Sequence, residues 1–302
     1  MKNEDVRAAI AAIPFLAGYD GPFERLGGLT NTVFRLGPHV LRLPGKGTEE
    51  YINRAEEKVA AEKAARAGVS PDVLYAASES GVMVSRFIDG STTMSADAFR
   101  ALPGAPGRAG QAFHLLHTSG AVFPARFDLF GMIEDYLAVL ATKDVDLPAG
   151  YHDVVAEAAK IRPILQAAAP APVACHCDPL CENFLDTGTR MWIVDWEYAG
   201  MNYPMWDLGD LSVEGGFDPA QDDELLQAYF SGAPSAGDRG RMVIYKAMCD
   251  LLWTLWGLIQ LANDNPAEDF RAYADERFAR CKTLMATPDF SHHVEAVRAS
   301  AA

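Results

Sequence analysis

The sequence predicts an α+β fold in which an antiparallel sheet with one helix forms a smaller N-terminal lobe and a mainly helical region forms a larger C-terminal lobe. Two patterns carry this expectation. Short apolar runs alternate with turn residues over 22–43 and again over 73–84, as in strands joined by tight connections. From Ser95 onward the apolar spacing becomes helical. The boundary is expected near residue 90, giving lobes of 1–90 and 91–302.

In the first lobe, Phe23–Leu26, Thr32–Leu36 and His39–Leu43 read as three strands, separated by Gly27-Gly28-Leu29-Thr30-Asn31 and by Gly37-Pro38. Glycines let a backbone approach phosphate oxygens closely, and Thr30 and Asn31 add donors; a plain hairpin turn fits the two glycines equally well. Residues 53–67 are rich in Ala, Glu and Lys and stop at Gly68, which predicts a helix. A carboxylate in its first turns can pair with a strand cation. Arg42 with Glu57 is the expected pair, with Glu56 and Lys46 as the alternatives. Val73–Tyr75 and Val82–Val84 are two further strands, and Phe87-Ile88 leads into Asp89-Gly90 as the lobe connection.

In the second lobe, helices are expected over 96–102, 109–117, 130–142, 153–169 and 239–262, with Pro103–Gly107 as a loop. Phe184-Leu185 and Met191–Val194 read as a hairpin around Asp186-Thr-Gly-Thr189.

The chemistry-bearing stretch runs from Cys175 to Glu214. His176-Cys-Asp178 is followed five residues later by Asn183, and Asp195 ends an apolar strand one hairpin beyond. Phosphoryl transfer from a nucleotide requires this order: a carboxylate that accepts an alcohol proton, an amide oxygen and a second carboxylate that hold a divalent ion against the phosphates. Hard oxygen ligands suit Mg²⁺. The competing zinc reading of Cys175-x-Cys177-x₃-Cys181 lacks a second ligand pair at suitable spacing, so reduced thiols around a buried loop are expected. His176 is expected to orient the loop by bonding to backbone.

All five Trp lie after position 190, and Trp253 and Trp256 sit three apart on an apolar helix. With Tyr198, Tyr273 and Glu214 they offer rings and a carboxylate, the means by which proteins hold a quaternary ammonium; core packing accounts for the same spacing.

Bulk properties bound the class. With 49% apolar residues the 302-residue chain can bury a large core. A formal net charge of −15 repels nucleic acid and tolerates a cationic substrate. No uninterrupted apolar stretch reaches membrane-span length, the longest being Leu251–Ala262, so no membrane insertion is expected. The N-terminal residues do not read as a secretory signal, and five cysteines without a disulfide framework fit a reducing cytoplasm.

Leu29-Thr-Asn-Thr32, Leu41-Arg-Leu-Pro-Gly45, Tyr51-Ile-Asn-Arg54, Cys175–Leu185, Val194–Gly200, Trp206-Asp-Leu208 and Trp253-x-x-Trp256 with Gln260 resemble the choline/ethanolamine kinase family, in its bacterial choline kinase branch, within the wider aminoglycoside phosphotransferase and protein-kinase-like superfamily. The resemblance covers about residues 20–285. It implies a two-lobed protein-kinase-like fold and transfer of the ATP γ-phosphate to choline, with ethanolamine, thiamine or an aminoglycoside as alternative acceptors. A kinase-like protein that binds a quaternary amine without turnover is the non-enzymatic alternative. Residue by residue, it implies Asp178 as catalytic base and Asn183 and Asp195 as Mg²⁺ ligands. The nucleotide would meet Gly27, Gly28, Thr30, Asn31, Arg42, Glu57, Phe87 and Ile88. The alcohol would meet Glu197, Tyr198, Glu214, Trp253, Trp256 and Tyr273. Cys177 departs from the family by standing where Asn is frequent, and Pro179-Leu180 replaces a polar pair. Whether the chain forms a homodimer is left open.

Overall fold

The computed structural model describes residues 3–27, 31–45, 52–167 and 169–301. Its first sheet has the order β1-β2-β3-β5-β4, antiparallel throughout, built from β1 (Glu24–Gly27), β2 (Thr32–Leu36), β3 (His39–Leu43), β4 (Val73–Ala76) and β5 (Met83–Arg86). Side chains alternate across a strand. Phe34, Leu36, Leu41, Leu43 and Val84 therefore share one face, where they pack on Val6, Ile10 and Ile13 from α1 (Asn3–Ala12) and the turn after it. Arg42, between Leu41 and Leu43, points to the other face.

On that side lies α2 (Arg54–Arg66), whose Asn53 N-cap accepts from the backbone of Ala55 and Glu56 at 3.1 and 3.3 Å. Its small face, Ala60, Ala61 and Ala64, belongs to the same apolar cluster as the C-terminal helices. The segment after it is tied the same way: Ile193 donates its N–H to the Val69 carbonyl at 2.8 Å, and the Trp196 indole N–H donates to Ser70 Oγ at 3.0 Å.

The chain crosses between sheets over 87–91, since β6 (Thr92–Thr93) already pairs with β8 (Phe184–Asp186), which pairs with β9 (Met191–Ile193). A two-stranded antiparallel ribbon joins β7 (Val173–Cys175) to β10 (Gly200–Asn202). The helices α3 (Ala96–Ala101), α4 (Ala105–His117), α5 (Leu129–Leu140), α6 (Tyr151–Ala167), α7 (Pro204–Glu214), α8 (Pro219–Phe230), α9 (Ala236–Ala262), α10 (Phe270–Met285) and α11 (Pro288–Ala299) complete this lobe. Helix α9 is central, packed by α5, α7, α10 and α11. At 27 residues it alone, among the described residues, has the length and composition to cross a bilayer, and it is a buried core helix here. Gly209 allows the close approach of α7, because a Cβ there would lie 2.7 Å from the Met242 carbonyl.

One expected loop is partly helical. Pro103–Gly107 is not a loop throughout, because α4 starts at Ala105. Pro106 falls in the first turn, where its missing N–H would have no helical partner anyway, and Gly104 reverses the chain at φ 77° just before it.

Candidate active site

Three local devices bring the candidate residues together. The β7–β10 ribbon places Cys175 opposite Gly200, so the loop leaving β7 and the segment entering β10 run side by side. The β8–β9 hairpin then sets Asn183 against Val194, whose N–H donates to the Asn183 carbonyl at 2.9 Å. Asp178, Asn183 and Asp195 thus share one end of two small sheets. The Asn183 amide donates to the Asp178 carbonyl at 3.1 Å, which turns its side-chain oxygen away from that carbonyl. His176 Nε2 lies 2.9 Å from the Val194 carbonyl and links the two segments again.

Beneath the loop sits Asp207, fully buried in the first turn of α7. Its two oxygens accept the backbone N–H groups of His176 at 2.7 Å and Cys177 at 2.8 Å. His117 Nε2 approaches it at 3.1 Å, and Trp206 Nε1 donates to the Cys177 carbonyl at 3.0 Å. These contacts hold a turn in which Cys177 adopts φ 69°; Asp195 is left-handed too, at φ 65°. Such a conformation costs a β-carbon-bearing residue of order 1 kcal/mol and persists where surrounding bonds over-determine it. Asn tolerates it better than Cys.

On the sheet side, Arg42 pairs with Glu57 and lies 3.1 Å from Asp195. Arg54 bonds Glu57 at 2.8 Å and Glu197 at 3.3 Å, and Asn31 donates to Glu197 at 3.2 Å. Two arginines and three carboxylates, mostly buried, thereby cross the cleft from β3 and α2 to the Asp195 segment. Glu57, rather than Glu56, is the helix partner of Arg42. Glu197, which the resemblance assigns to the alcohol, is bonded to Arg54 and Asn31 within this lattice.

Charge in the cleft is predominantly negative. Burial, then Glu197, Glu214 and Asp195, push the Asp178 carboxyl well above the usual carboxylate range, with Arg277 opposing. Burial also raises Asp195 against the pull of Arg42. Burial and the Asp195 charge push Glu197 up to about 7. A carboxylate-rich, oxygen-lined cleft with raised proton affinities is one that a divalent cation relieves. Hard oxygens from Asp195 and the Asn183 amide fit Mg²⁺; Glu57, Asp195 and Glu197 also bring one oxygen each within 4.8 Å of one another.

The rings form a second group. Trp253 is 6.4 Å from Trp256 and 5.6 Å from Tyr198, and Trp256 is 5.8 Å from Tyr273, all edge-to-face between centroids. Glu214 pairs at 2.6 Å with Arg277, whose guanidinium lies 4.4 Å over the Tyr273 ring. At the lobe crossing, Phe87 carries Arg35 over its ring at 3.7 Å, and Ile88 is half-buried. Gly27 has φ 151°, a state that favours glycine. Gly28, Thr30 and Lys46 lie outside the described residues. All five cysteines are free and buried.

Sequence reasoning missed Arg54, Asp207, His117 and Arg277. Asp207 carried a usable signal, an acidic residue in the first turn after Pro204, and Arg54 another, its spacing three before Glu57; His117 and Arg277 signify only through partners far along the chain.

A two-lobed α+β architecture with a carboxylate-and-amide loop facing a cation-bridged cleft defines a kinase-like phosphotransferase. Residues 24–245 match the phosphotransferase enzyme family known as APH. A crystal structure of a choline/ethanolamine kinase family protein from Mesorhizobium loti is similar at 66% identity and TM-score 0.94, over 99% of this chain and all of the other. Choline kinase LicA from Streptococcus pneumoniae is similar at 25% identity and TM-score 0.78, over 94% and 98% of the two chains. A structure of LicA in complex with AMP has the same identity and a TM-score of 0.74, over 93% and 97%. The chain belongs to the choline/ethanolamine kinase family of these phosphotransferases, which transfer phosphate to an alcohol acceptor.

Proposed function

We propose that the protein transfers the γ-phosphate of ATP to the hydroxyl of choline, in a cleft between a nucleotide-binding lobe of residues 1–90 and a catalytic lobe of residues 91–302. The observation that carries choline over other alcohols is the ring cluster of Tyr198, Trp253, Trp256 and Tyr273 within electrostatic reach of Asp178, which acts on the ionisation of Tyr273. A quaternary ammonium has no N–H to donate, so ring faces and diffuse negative charge bind it, at about 0.5–2 kcal/mol per good face. LicA, similar in sequence and fold, is named a choline kinase, and its crystallisation in complex with AMP supports a nucleotide as co-substrate.

Asp178 accepts the hydroxyl proton as the oxygen attacks. Its raised proton affinity suits a base for a weakly acidic alcohol. Arg42, held between Glu57 and Asp195, presents a fixed positive charge to the phosphates. Asn183 and Asp195 would hold Mg²⁺, which when bound supplies charge neutralisation across the phosphate oxygens. The backbone bonds to Asp207 keep the Asp178 loop from reorganising during transfer. Five free, buried thiols suit a reducing cytoplasm.

The test is ADP release with Mg·ATP, measured for choline, its demethylated analogues, ethanolamine and an aminoglycoside. Choline should give the highest kcat/KM. ADP release that no added alcohol stimulates would overturn the proposal.

A further inference from the structure

We propose that Arg277 sets the selectivity of the alcohol pocket by withholding the Glu214 carboxylate from the substrate's ammonium group. The inference rests on the choline reading above and names the residue behind the preference.

Arg277, on α10, is 5% exposed. One of its terminal nitrogens lies 2.6 Å from Glu214 Oε1, the other 3.3 Å from Asp250 Oδ1, and its plane covers Tyr273 at 4.4 Å. A permanent cation is therefore built into one end of the ring cluster. Asp250 does not require it, because Arg280 already bonds both Asp250 oxygens, at 2.6 and 3.0 Å. The short contact goes to Glu214, the carboxylate at the end of α7 that also acts on Asp178 and Tyr273.

The consequence for substrates follows from their donors. A primary ammonium carries three N–H groups and binds by donating them, so it needs strong acceptors. A carboxylate already engaged by a buried guanidinium is a poor one, since sharing it means weakening a buried ion pair. A trimethylammonium needs ring faces and diffuse charge only, so pairing of Glu214 weakens its long-range attraction but takes away no hydrogen-bond acceptor it would use. Arg277 thus acts through Glu214, as a positioning residue, to penalise N–H donors.

The test compares kcat/KM for choline and ethanolamine in wild type, Arg277→Met and the double variant Arg277→Met/Glu214→Gln. In Arg277→Met the choline-to-ethanolamine ratio should fall at least about tenfold, the worth of one freed charge-assisted hydrogen bond. In the double variant, which replaces the ion pair by neutral groups of similar size, the ratio should return to within about threefold of wild type. Where melting shows Arg277→Met to be unfolded, Arg277→Lys serves instead. It keeps the charge but loses the planar stack and the fork, so the ratio should fall by about threefold. An unchanged ratio in the folded single variant overturns the role of Arg277, and so does a fall that persists undiminished in the double variant. A wild type that phosphorylates neither alcohol overturns the choline reading itself. A wild type selective for choline whose ratio ignores these substitutions overturns Arg277 alone.

Discussion

Replacing Glu57 with Gln tests the lattice that spans the cleft. Glu57 is 3% exposed, and its two oxygens serve two different arginines, Arg42 and Arg54. Gln keeps the shape but removes the charge and turns one acceptor into a donor facing a guanidinium. Removing one partner from a buried ionic group costs about 3–5 kcal/mol. Asp195 still holds Arg42 and Glu197 still holds Arg54, which places the expected loss near the lower figure, about 3 kcal/mol. For a chain of 302 residues that is a fall in melting temperature of about 5 °C. Catalysis should fall further than stability alone explains, because Arg42 loses the contact that fixes it beside Asp195; a misplaced electrostatic group costs about 100-fold in kcat. Glu56→Gln is the internal control, a surface change expected within about 0.5 kcal/mol of wild type. Thermal melts and steady-state ADP release on the three proteins check this. If Glu57→Gln melts and turns over like Glu56→Gln, the lattice neither stabilises nor positions anything.

Four other outcomes are expected. Asp178→Asn should lower kcat by about 10²- to 10⁴-fold while calorimetric nucleotide affinity stays near wild type. Because burial and the surrounding carboxylates raise the Asp178 carboxyl, its active, unprotonated form is lost as pH falls, and lost at a higher pH than for an ordinary carboxylate. A kcat/KM profile should therefore show its acidic limb above the usual carboxylate range, and Glu197→Gln, by removing a raising charge, should move that limb to lower pH. Trp256→Ala should raise KM for choline by about 2- to 30-fold, the span of one cation–π face, and leave KM for ATP unchanged. Asp207→Asn strands one of the two N–H donors above it and should destabilise the protein by about 1–3 kcal/mol in denaturant titration.

What could be read from sequence was what depends on near neighbours. The strands around Gly37-Pro38, the Asn53-capped helix and the hairpin at Asp186–Thr189 are set by local turn chemistry and spacing. The expected helix over 109–117 began too late because Pro106 looks like a breaker until its position in the first turn is known. Helices α7, α8 and α11 went unread, although Pro204, Pro219 and Pro288 each stand at a helix start. Strands β7 and β10, three residues each, are too short to show any period. Within the site, Asp178, Asn183 and Asp195 announce themselves because one short stretch carries all three. Arg277 could not, since its meaning lies in Glu214, 63 positions earlier in the chain, and nothing local distinguishes it from a surface arginine of α10. The bond between Glu197 and Arg54 was hidden for the same reason, since the two are 143 positions apart.

Helix α2 has its alanine face packed into the larger lobe's core, and the segment behind it is stitched to β9 and Trp196. Yet its acidic tooth, Glu57, grips a strand of the smaller lobe. If the two lobes part when a nucleotide enters or leaves, these contacts make the five-stranded sheet with α1 the part expected to swing, with α2 staying on the larger lobe. The Arg42 clasp is where such a swing must slip, so a spin or fluorophore pair spanning β3 and α2 would register each opening, whereas a pair spanning α2 and α4 would stay silent.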